Sequence, residues 1–174
     1  MHVTSILDLA GVSDPRTARE AFFALYIGPR FFTLYPDVPE TLHQLQATGY
    51  RLGIVSNWEP RLELLCAAHG IGHYFDFAVV SELEGYAKPH PHLYRRALEA
   101  AGARPDQVLH VGDKLREDVD GAAQVGIRAI LVDRTGSAEG YKPRITSLTE
   151  IVTLLEADGD LDPMSSRRES TQAP

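Results

Sequence analysis

Residues 110–119, HVGDKLREDV, place one acidic residue directly after a short apolar run and a second one five positions further along. Asp113 follows the apolar strand predicted at residues 108–111, after a glycine that lets the backbone turn. Asp118 lies near the start of the next predicted helix. Two carboxylates that converge on one edge of a sheet suit a hard cation such as Mg²⁺. A helix N-terminus also favours an acid, so Asp118 is either a metal ligand or a helix-start residue.

The rest of the chain alternates short apolar runs with amphipathic helical patterns. The predicted strands are residues 51–55, 77–80, 108–111 and 129–132. The predicted helices are residues 16–26, 38–48, 59–69, 91–101 and 116–125. A last predicted helix begins with a capping box at Ser147 and Glu150. This alternation predicts an α/β fold, a Rossmann-like, doubly wound parallel sheet with helices on both faces. Ligands of such sheets bind beyond the carboxyl ends of the strands.

Two further polar stretches follow predicted strand ends. Ser56 and Asn57 come directly after residues 51–55, where a hydroxyl and an amide can bind an anionic oxygen, although both are also common helix caps. Lys88 lies in GYAKPHP, residues 85–91, where a glycine and two prolines stiffen the loop. A fixed ammonium there can neutralise a phosphate or a carboxylate cluster, and the alternative is an exposed loop lysine.

Together these stretches resemble the motifs of the haloacid dehalogenase superfamily. IVSN at 54–57 is similar to its second motif, AKPHP at 87–91 to its third and GDKLREDVDGA at 112–122 to its fourth. LYPDVPETLHQLQATGY at 34–50 resembles the helix that leads into the second motif. The order and spacing agree with the family, and the resemblance covers about residues 30–156.

The resemblance implies a function, a cofactor and a set of site residues. The function is magnesium-dependent hydrolysis of a small phosphorylated metabolite. Ser56 would hydrogen-bond the transferring phosphoryl group, with Asn57 beside it. Lys88 would bind substrate and stabilise charge during catalysis. Asp113 and Asp118 would form the Mg²⁺ site, and Asp118 would also orient Lys88 or a metal-bound water.

The sequence departs from the family in the first motif, an apolar strand that ends in DxD and supplies the nucleophile. No DxD follows an apolar strand before Ser56. The nearest candidate is Asp8 in ILDLA, which lacks the second acid and lies too close to Ser56 for a helical cap to fit between them. We therefore expect this polypeptide alone to be inactive. A further departure is Lys114, because the family commonly has a small residue at this position.

Three regions are expected along the chain. They are a remnant of a helical cap at residues 1–30, a core of the haloacid dehalogenase type at residues 31–157 and a disordered tail at residues 158–174. In this family the missing first strand is the central one of the sheet. The strands at 51–55 and 108–111 are therefore expected to be unpaired at their facing edges or forced together, unless another segment such as residues 1–10 fills the position.

Composition narrows the possible partners. A net charge of −7 argues against nucleic acid. No apolar run approaches the roughly 20 residues needed to cross a bilayer, and the N-terminal sequence does not resemble a signal peptide. Cys66, the single cysteine, fits a reducing cytoplasm and core packing on a helix. Composition therefore predicts a cytoplasmic protein without nucleic acid or membrane as a partner, and the family resemblance implies a small-molecule phosphate ester as its substrate.

Three alternative functions follow from the same residues. A dehalogenase of this superfamily needs neither a metal nor GDxxxxD, so Asp113 and Asp118 favour a phosphatase. A phosphoacceptor receiver domain places its acidic pair before the hydroxyl and the lysine, which is the reverse of the order here. A non-catalytic phosphate-binding or scaffold protein would keep the anion site without turnover. His90 and His92 form an H-x-H pair that we interpret as a solvated helix start rather than a zinc site.

Overall fold

The computed structural model describes residue 14, residues 32–138 and residues 140–157. Its elements are α1 (Asp37–Ala47), β1 (Gly53–Ser56), α2 (Leu62–Ala68), β2 (Phe77–Val80), α3 (Ser81–Glu84), α4 (Pro91–Ala101), β3 (Leu109–Gly112), a π-helix (Leu115–Asp120), α5 (Gly121–Ala123), β4 (Arg128–Val132), β5 (Arg144–Ile145) and α6 (Thr149–Ala157). All of them belong to the compact unit Tyr35–Pro174. No helix in the described ranges has the length and apolar character needed to cross a membrane. The helix predicted at 16–26 and the tail predicted at 158–174 lie outside the described residues, as does the predicted cap remnant except for residue 14.

The five strands form two parallel groups. β1 pairs with β2, which sets Ser56 opposite Val80. β3, β4 and β5 form the second group in that order. The predicted α/β fold with parallel strands is confirmed. In the described ranges β1 and β3 are not forced together, since no backbone pairing joins these strands, and whether their facing edges are unpaired stays a prediction. Residues 1–10, the segment considered for the position between them, lie outside the described ranges.

The side chains of β4 alternate between two buried clusters on opposite faces of the sheet. Ile130 and Val132 pack with apolar residues of α1, β5 and α6. Ala129 and Leu131 pack on the other face with residues of α4, the π-helix and α5. Every residue of β4 after Arg128 is buried, as is typical of an inner strand of a parallel sheet. Helices therefore cover both faces of β4, as a doubly wound sheet requires.

Several elements differ from the sequence prediction. β5 was not predicted, because a strand of two residues leaves no periodic pattern. The helix predicted at 116–125 divides into the π-helix and α5, and the helix predicted at 59–69 is shorter in the structure. The predicted capping box is confirmed in one half, since the Ser147 amide donates to the Glu150 carboxylate at 3.0 Å.

Asp37, at the start of α1, connects three parts of the core. Its carboxylate accepts two hydrogen bonds from the Arg134 guanidinium, at 2.8 and 3.0 Å. It also accepts one from the Ser147 hydroxyl and one from the Leu148 amide, each at 2.8 Å. The Arg134 guanidinium lies over the Tyr35 ring, 3.9 Å from its centroid. The hydrogen bonds from Arg134 are the largest influence, and they lower the pKa of Asp37 to about 2 despite the opposing effect of burial.

Replacing Asp37 by asparagine is expected to lower the free energy of unfolding by about 2 kcal/mol at pH 7. The pKa of Asp37 is lower in the folded chain than its ordinary value of 3.8, so this contribution is nearly complete above about pH 4 and is lost as the pH falls through about 2. Urea unfolding at pH 7 and pH 3 should show the difference between wild type and Asp37→Asn shrink by about half. Glu40→Gln removes an exposed acid of the same helix and should change stability by less than ~0.5 kcal/mol. A difference that is equal at the two pH values contradicts the prediction.

Candidate active site

The candidate residues lie where the chain leaves β1, β2 and β3. Ser56 is the last residue of β1, and Asn57 follows it. Lys88 lies in the connection from α3 to α4, which comes after β2. Gly112 ends β3, and Asp113 follows it. These segments come from both strand groups, and side-chain contacts bring them together.

Lys88 and Asp118 form a buried ion pair. Nζ of Lys88 lies 2.5 Å from Oδ1 of Asp118, and the exposed fractions of the two side chains are 11% and 3%. The prediction that Lys88 lies within ion-pair reach of Asp113 or Asp118 is confirmed for Asp118. Lys88 is therefore not an exposed loop lysine. The contact joins the segment after β2 to the segment after β3, and so connects the two strand groups at one edge.

Two further donors hold the Asp118 carboxylate. Nε2 of His110, in β3, lies 3.2 Å from Oδ1, the same oxygen that contacts Lys88. The backbone amide of Lys114 donates to Oδ2 at 3.0 Å. Burial raises the pKa of Asp118, but the hydrogen bonds from His110 and Lys88 and the charge of Lys88 outweigh it and hold the pKa well below its usual range. Asp118 is therefore ionised at neutral pH, and both of its oxygens accept from donors.

Gly112 leaves space for this carboxylate. A Cβ atom at position 112 would lie 2.2 Å from Cγ of Asp118, so a larger residue would displace the buried acid. Gly112 does not have a positive φ angle. The glycine is needed for close approach to Asp118, and the backbone turn that the sequence suggested is not the reason for it.

Tyr94 supports the π-helix that carries Asp118. The tyrosine is fully buried, and its hydroxyl donates to the backbone carbonyl of Glu117. Gly121 gives the ring its space, since a Cβ there would lie 2.7 Å from the Tyr94 oxygen. Burial, followed by the charges of Asp118 and Glu117, raises the pKa of Tyr94, so the hydroxyl keeps the proton that it donates. The sequence did not single out this residue, because a tyrosine on the apolar face of a helix resembles ordinary core.

Asn57 holds the loop that carries Lys88. Its side-chain oxygen accepts from the Lys88 amide at 2.6 Å, and Nδ2 donates to the Lys88 carbonyl at 3.0 Å. Nδ2 also contacts Oε2 of Glu117 at 3.3 Å. These contacts position Lys88, whereas the expected contact of Asn57 with a phosphoryl group stays a prediction. Within residues 32–138 and 140–157 the Ser56 hydroxyl has no hydrogen-bond partner. No described residue therefore competes with an anion for this hydroxyl.

The two predicted magnesium ligands differ in availability. Asp113 is exposed and has no ion pair or hydrogen bond with any other described residue, whereas Asp118 is engaged by three donors. In the part of the chain that the structure describes, no group of three or more His, Cys, Asp or Glu side chains could hold a metal. The Mg²⁺ role of both acids stays a prediction. Lys114 points to solvent, with a side chain 61% exposed and Nζ 3.6 Å from Oε2 of Glu117.

Two other sequence interpretations are confirmed. Cys66 is buried in the core, and burial, followed by the charge of Glu63, raises the pKa of its thiol. Nδ1 of His90 accepts a hydrogen bond from the His92 amide at 3.2 Å, so the H-x-H pair opens α4 as a helix cap. Nε2 of His92 lies 3.0 Å from Oε2 of Glu84.

The parallel strands and the lysine–aspartate pair beyond their carboxyl ends define an α/β core with its polar site at one sheet edge. The family model of the haloacid dehalogenase-like hydrolases matches residues 6–126. The chain therefore belongs to the haloacid dehalogenase-like hydrolases, which confirms the resemblance found in the sequence.

Individual relatives are phosphatases. The chain is 38% identical over 105 residues to the glyceraldehyde 3-phosphate phosphatase of Methanothermobacter thermautotrophicus, which covers 57% of this chain and 44% of the relative. It is 38% identical over 122 residues to the phosphoserine phosphatase of Thermus thermophilus, with 69% and 49% covered. The crystal structure of a phosphatase of this family from Thermococcus onnurineus is similar with a TM-score of 0.73 and 30% identity, over 88% of this chain and 70% of that one. The chain spans about half the length of the curated relatives it matches.

Proposed function

We propose that this chain is the substrate-binding core of a magnesium-dependent phosphatase that acts on a small phosphorylated metabolite. The observation that carries the proposal is the buried ion pair of Lys88 and Asp118 beyond the carboxyl ends of the strands. The curated relatives named above act on phosphate esters of this kind. We further propose a cytoplasmic location, since the buried free Cys66 fits a reducing compartment.

Lys88 is suited to bind an oxyanion because its position is fixed before any ligand arrives. Asp118 holds its ammonium, and Asn57 holds its backbone on both sides. A preorganised cation stabilises negative charge without a reorganisation cost at the moment of binding. The Ser56 hydroxyl, at the end of β1, supplies a hydrogen-bond donor for the same anion.

Of the two predicted ligands, Asp113 is the better fit for a magnesium ion. Mg²⁺ commonly uses one or two carboxylates together with waters and substrate phosphate, so an exposed carboxylate is a sufficient protein ligand. Asp118 fits less well, because both of its oxygens accept from donors and one contacts an ammonium. We propose that Asp113 holds the ion and that Asp118 acts on Lys88. When bound, the ion would supply charge neutralisation for the phosphoryl group.

Calorimetric titration with inorganic phosphate, with and without Mg²⁺, tests the proposal. Wild type is expected to bind phosphate more tightly when Mg²⁺ is present, and Asp113→Asn to lose this enhancement. Ser56→Ala should weaken phosphate binding by roughly three- to tenfold through loss of one donor to a charged group. The matched control is Asp106→Asn. Asp106 precedes β3, and its side chain is 70% exposed. If Mg²⁺ enhances phosphate binding equally in Asp113→Asn and in wild type, Asp113 is not the metal ligand. If the wild type does not bind phosphate, the proposed anion site is wrong.

A non-catalytic phosphate-binding protein would give the same binding result. Turnover of an aryl phosphate by a version of the chain that carries an upstream strand ending in DxD separates the two functions. A dehalogenase is less well supported, because such an enzyme gives no role to the exposed Asp113 carboxylate.

A further inference from the structure

We propose that His110 is a positioning residue, which fixes the Asp118 carboxylate so that Asp118 holds the Lys88 ammonium in place for an anionic ligand. This inference rests on the proposed function. Oδ1 of Asp118 lies 3.2 Å from Nε2 of His110 and 2.5 Å from Nζ of Lys88. The same oxygen therefore connects the imidazole to the ammonium.

The contacts of Asp118 explain why the imidazole matters. A carboxylate rotates over a broad range about its Cβ–Cγ bond unless donors restrict it. The Lys114 amide donates to Oδ2 at 3.0 Å, and Nε2 of His110 lies 3.2 Å from Oδ1. Because both oxygens belong to one rigid plane, the two contacts together restrict this rotation more than the amide does alone. Without His110, Oδ1 keeps only the long, flexible Lys88 side chain as a partner among the described residues.

His110 is itself held in one orientation. It lies in β3, paired with Ala129 of β4, and its side chain is 13% exposed. The imidazole meets the buried Tyr94 ring edge to face, with centroids 5.3 Å apart and planes at 85°. Nε2 is the ring atom that contacts the carboxylate, so it must carry hydrogen in order to donate.

Two substitutions separate this role from simple packing against Tyr94. His110→Phe keeps an aromatic ring and removes the donor. His110→Gln keeps a donor at nearly the position of Nε2 and removes the ring. A packing role predicts that phenylalanine is the better replacement, whereas a positioning role predicts that glutamine is.

The experiment combines phosphate titration with nitrogen-15 NMR on the full chain. His110→Phe should bind inorganic phosphate roughly three- to tenfold more weakly than wild type, and His110→Gln within about twofold. The Lys88 ammonium signal should exchange faster with water in His110→Phe than in wild type or His110→Gln. His73→Phe, at an exposed histidine that precedes β2, is the matched control and should leave both quantities unchanged.

Three results would overturn the inference. The first is that His110 of the wild type carries hydrogen on Nδ1 and none on Nε2. This measurement needs no variant, so it remains decisive if His110→Phe does not fold. The second is a folded His110→Phe with unchanged phosphate affinity and unchanged ammonium exchange. The third is a His110→Gln that behaves worse than His110→Phe. If wild type does not bind phosphate at all, the proposed function fails, while the tautomer and the ammonium exchange still decide on His110.

Discussion

Replacing Lys88 by methionine is expected to lower the free energy of unfolding by about 3 kcal/mol and to abolish phosphate binding. Methionine has a similar length and no charge, so the substitution leaves the Asp118 carboxylate buried without its cation. The carboxylate side chain is 3% exposed, which means that water cannot replace the ammonium. His110 and the Lys114 amide still donate to it, which places the expected loss at the lower end of the range for a broken buried pair.

Urea unfolding of three variants checks this expectation. Lys114→Met makes the same chemical change at a lysine whose side chain is 61% exposed, and it should cost less than ~0.5 kcal/mol. The double variant Lys88→Met with Asp118→Leu should be more stable than Lys88→Met alone, because it removes the uncompensated charge as well. A loss in Lys88→Met no larger than that in Lys114→Met shows that the ion pair does not stabilise the fold.

The sequence predicted the order of strands and helices because burial of β4 and of the helix faces leaves strong periodic patterns. It did not predict an element that is defined by backbone pairing alone. β5 has two residues, and its position depends on hydrogen bonds to β4 that no local pattern encodes. The π-helix is a similar case, since six residues at 115–120 adopt a geometry whose sequence preferences do not differ from those of an α-helix.

The candidate site was predicted in part. The contact of Lys88 with Asp118 was predicted from the family motifs. These motifs assign related roles to two residues that lie 30 positions apart in the sequence. The link from Asn57 to Lys88 did not follow, because a residue after a strand can cap a helix, bind a ligand or hold a loop, and tertiary contacts decide among these. His110 was also missed as a functional residue. Its one local signal is an ionisable side chain inside a short apolar strand, directly before GD.

The chain alone is expected to hydrolyse an aryl phosphate about 10⁴–10⁶ times more slowly than a version that carries an upstream apolar strand ending in DxD. Lys88 and Ser56 are suited to bind a phosphoryl group and to neutralise its charge, but neither of these two residues is an activated nucleophile. The Lys88 ammonium is paired with Asp118. The Ser56 hydroxyl contacts no histidine or carboxylate in the described ranges, so no base activates it.

An assay with a generic aryl phosphate and Mg²⁺ separates loss of the nucleophile from loss of a complete sheet. It compares the chain, the extended version and an extended version in which the first aspartate of DxD is replaced by asparagine. The added strand can complete the sheet in both extended versions, so a rate gain confined to the one with aspartate assigns the effect to covalent chemistry. Asp113→Asn in the active extended version should then lower the rate through the metal site. Asp8, the nearest candidate for the nucleophile of the first motif, lies outside the described residues. If the unextended chain turns over at ordinary enzyme rates and Asp8→Asn abolishes that turnover, Asp8 attacks phosphorus and no upstream strand is required.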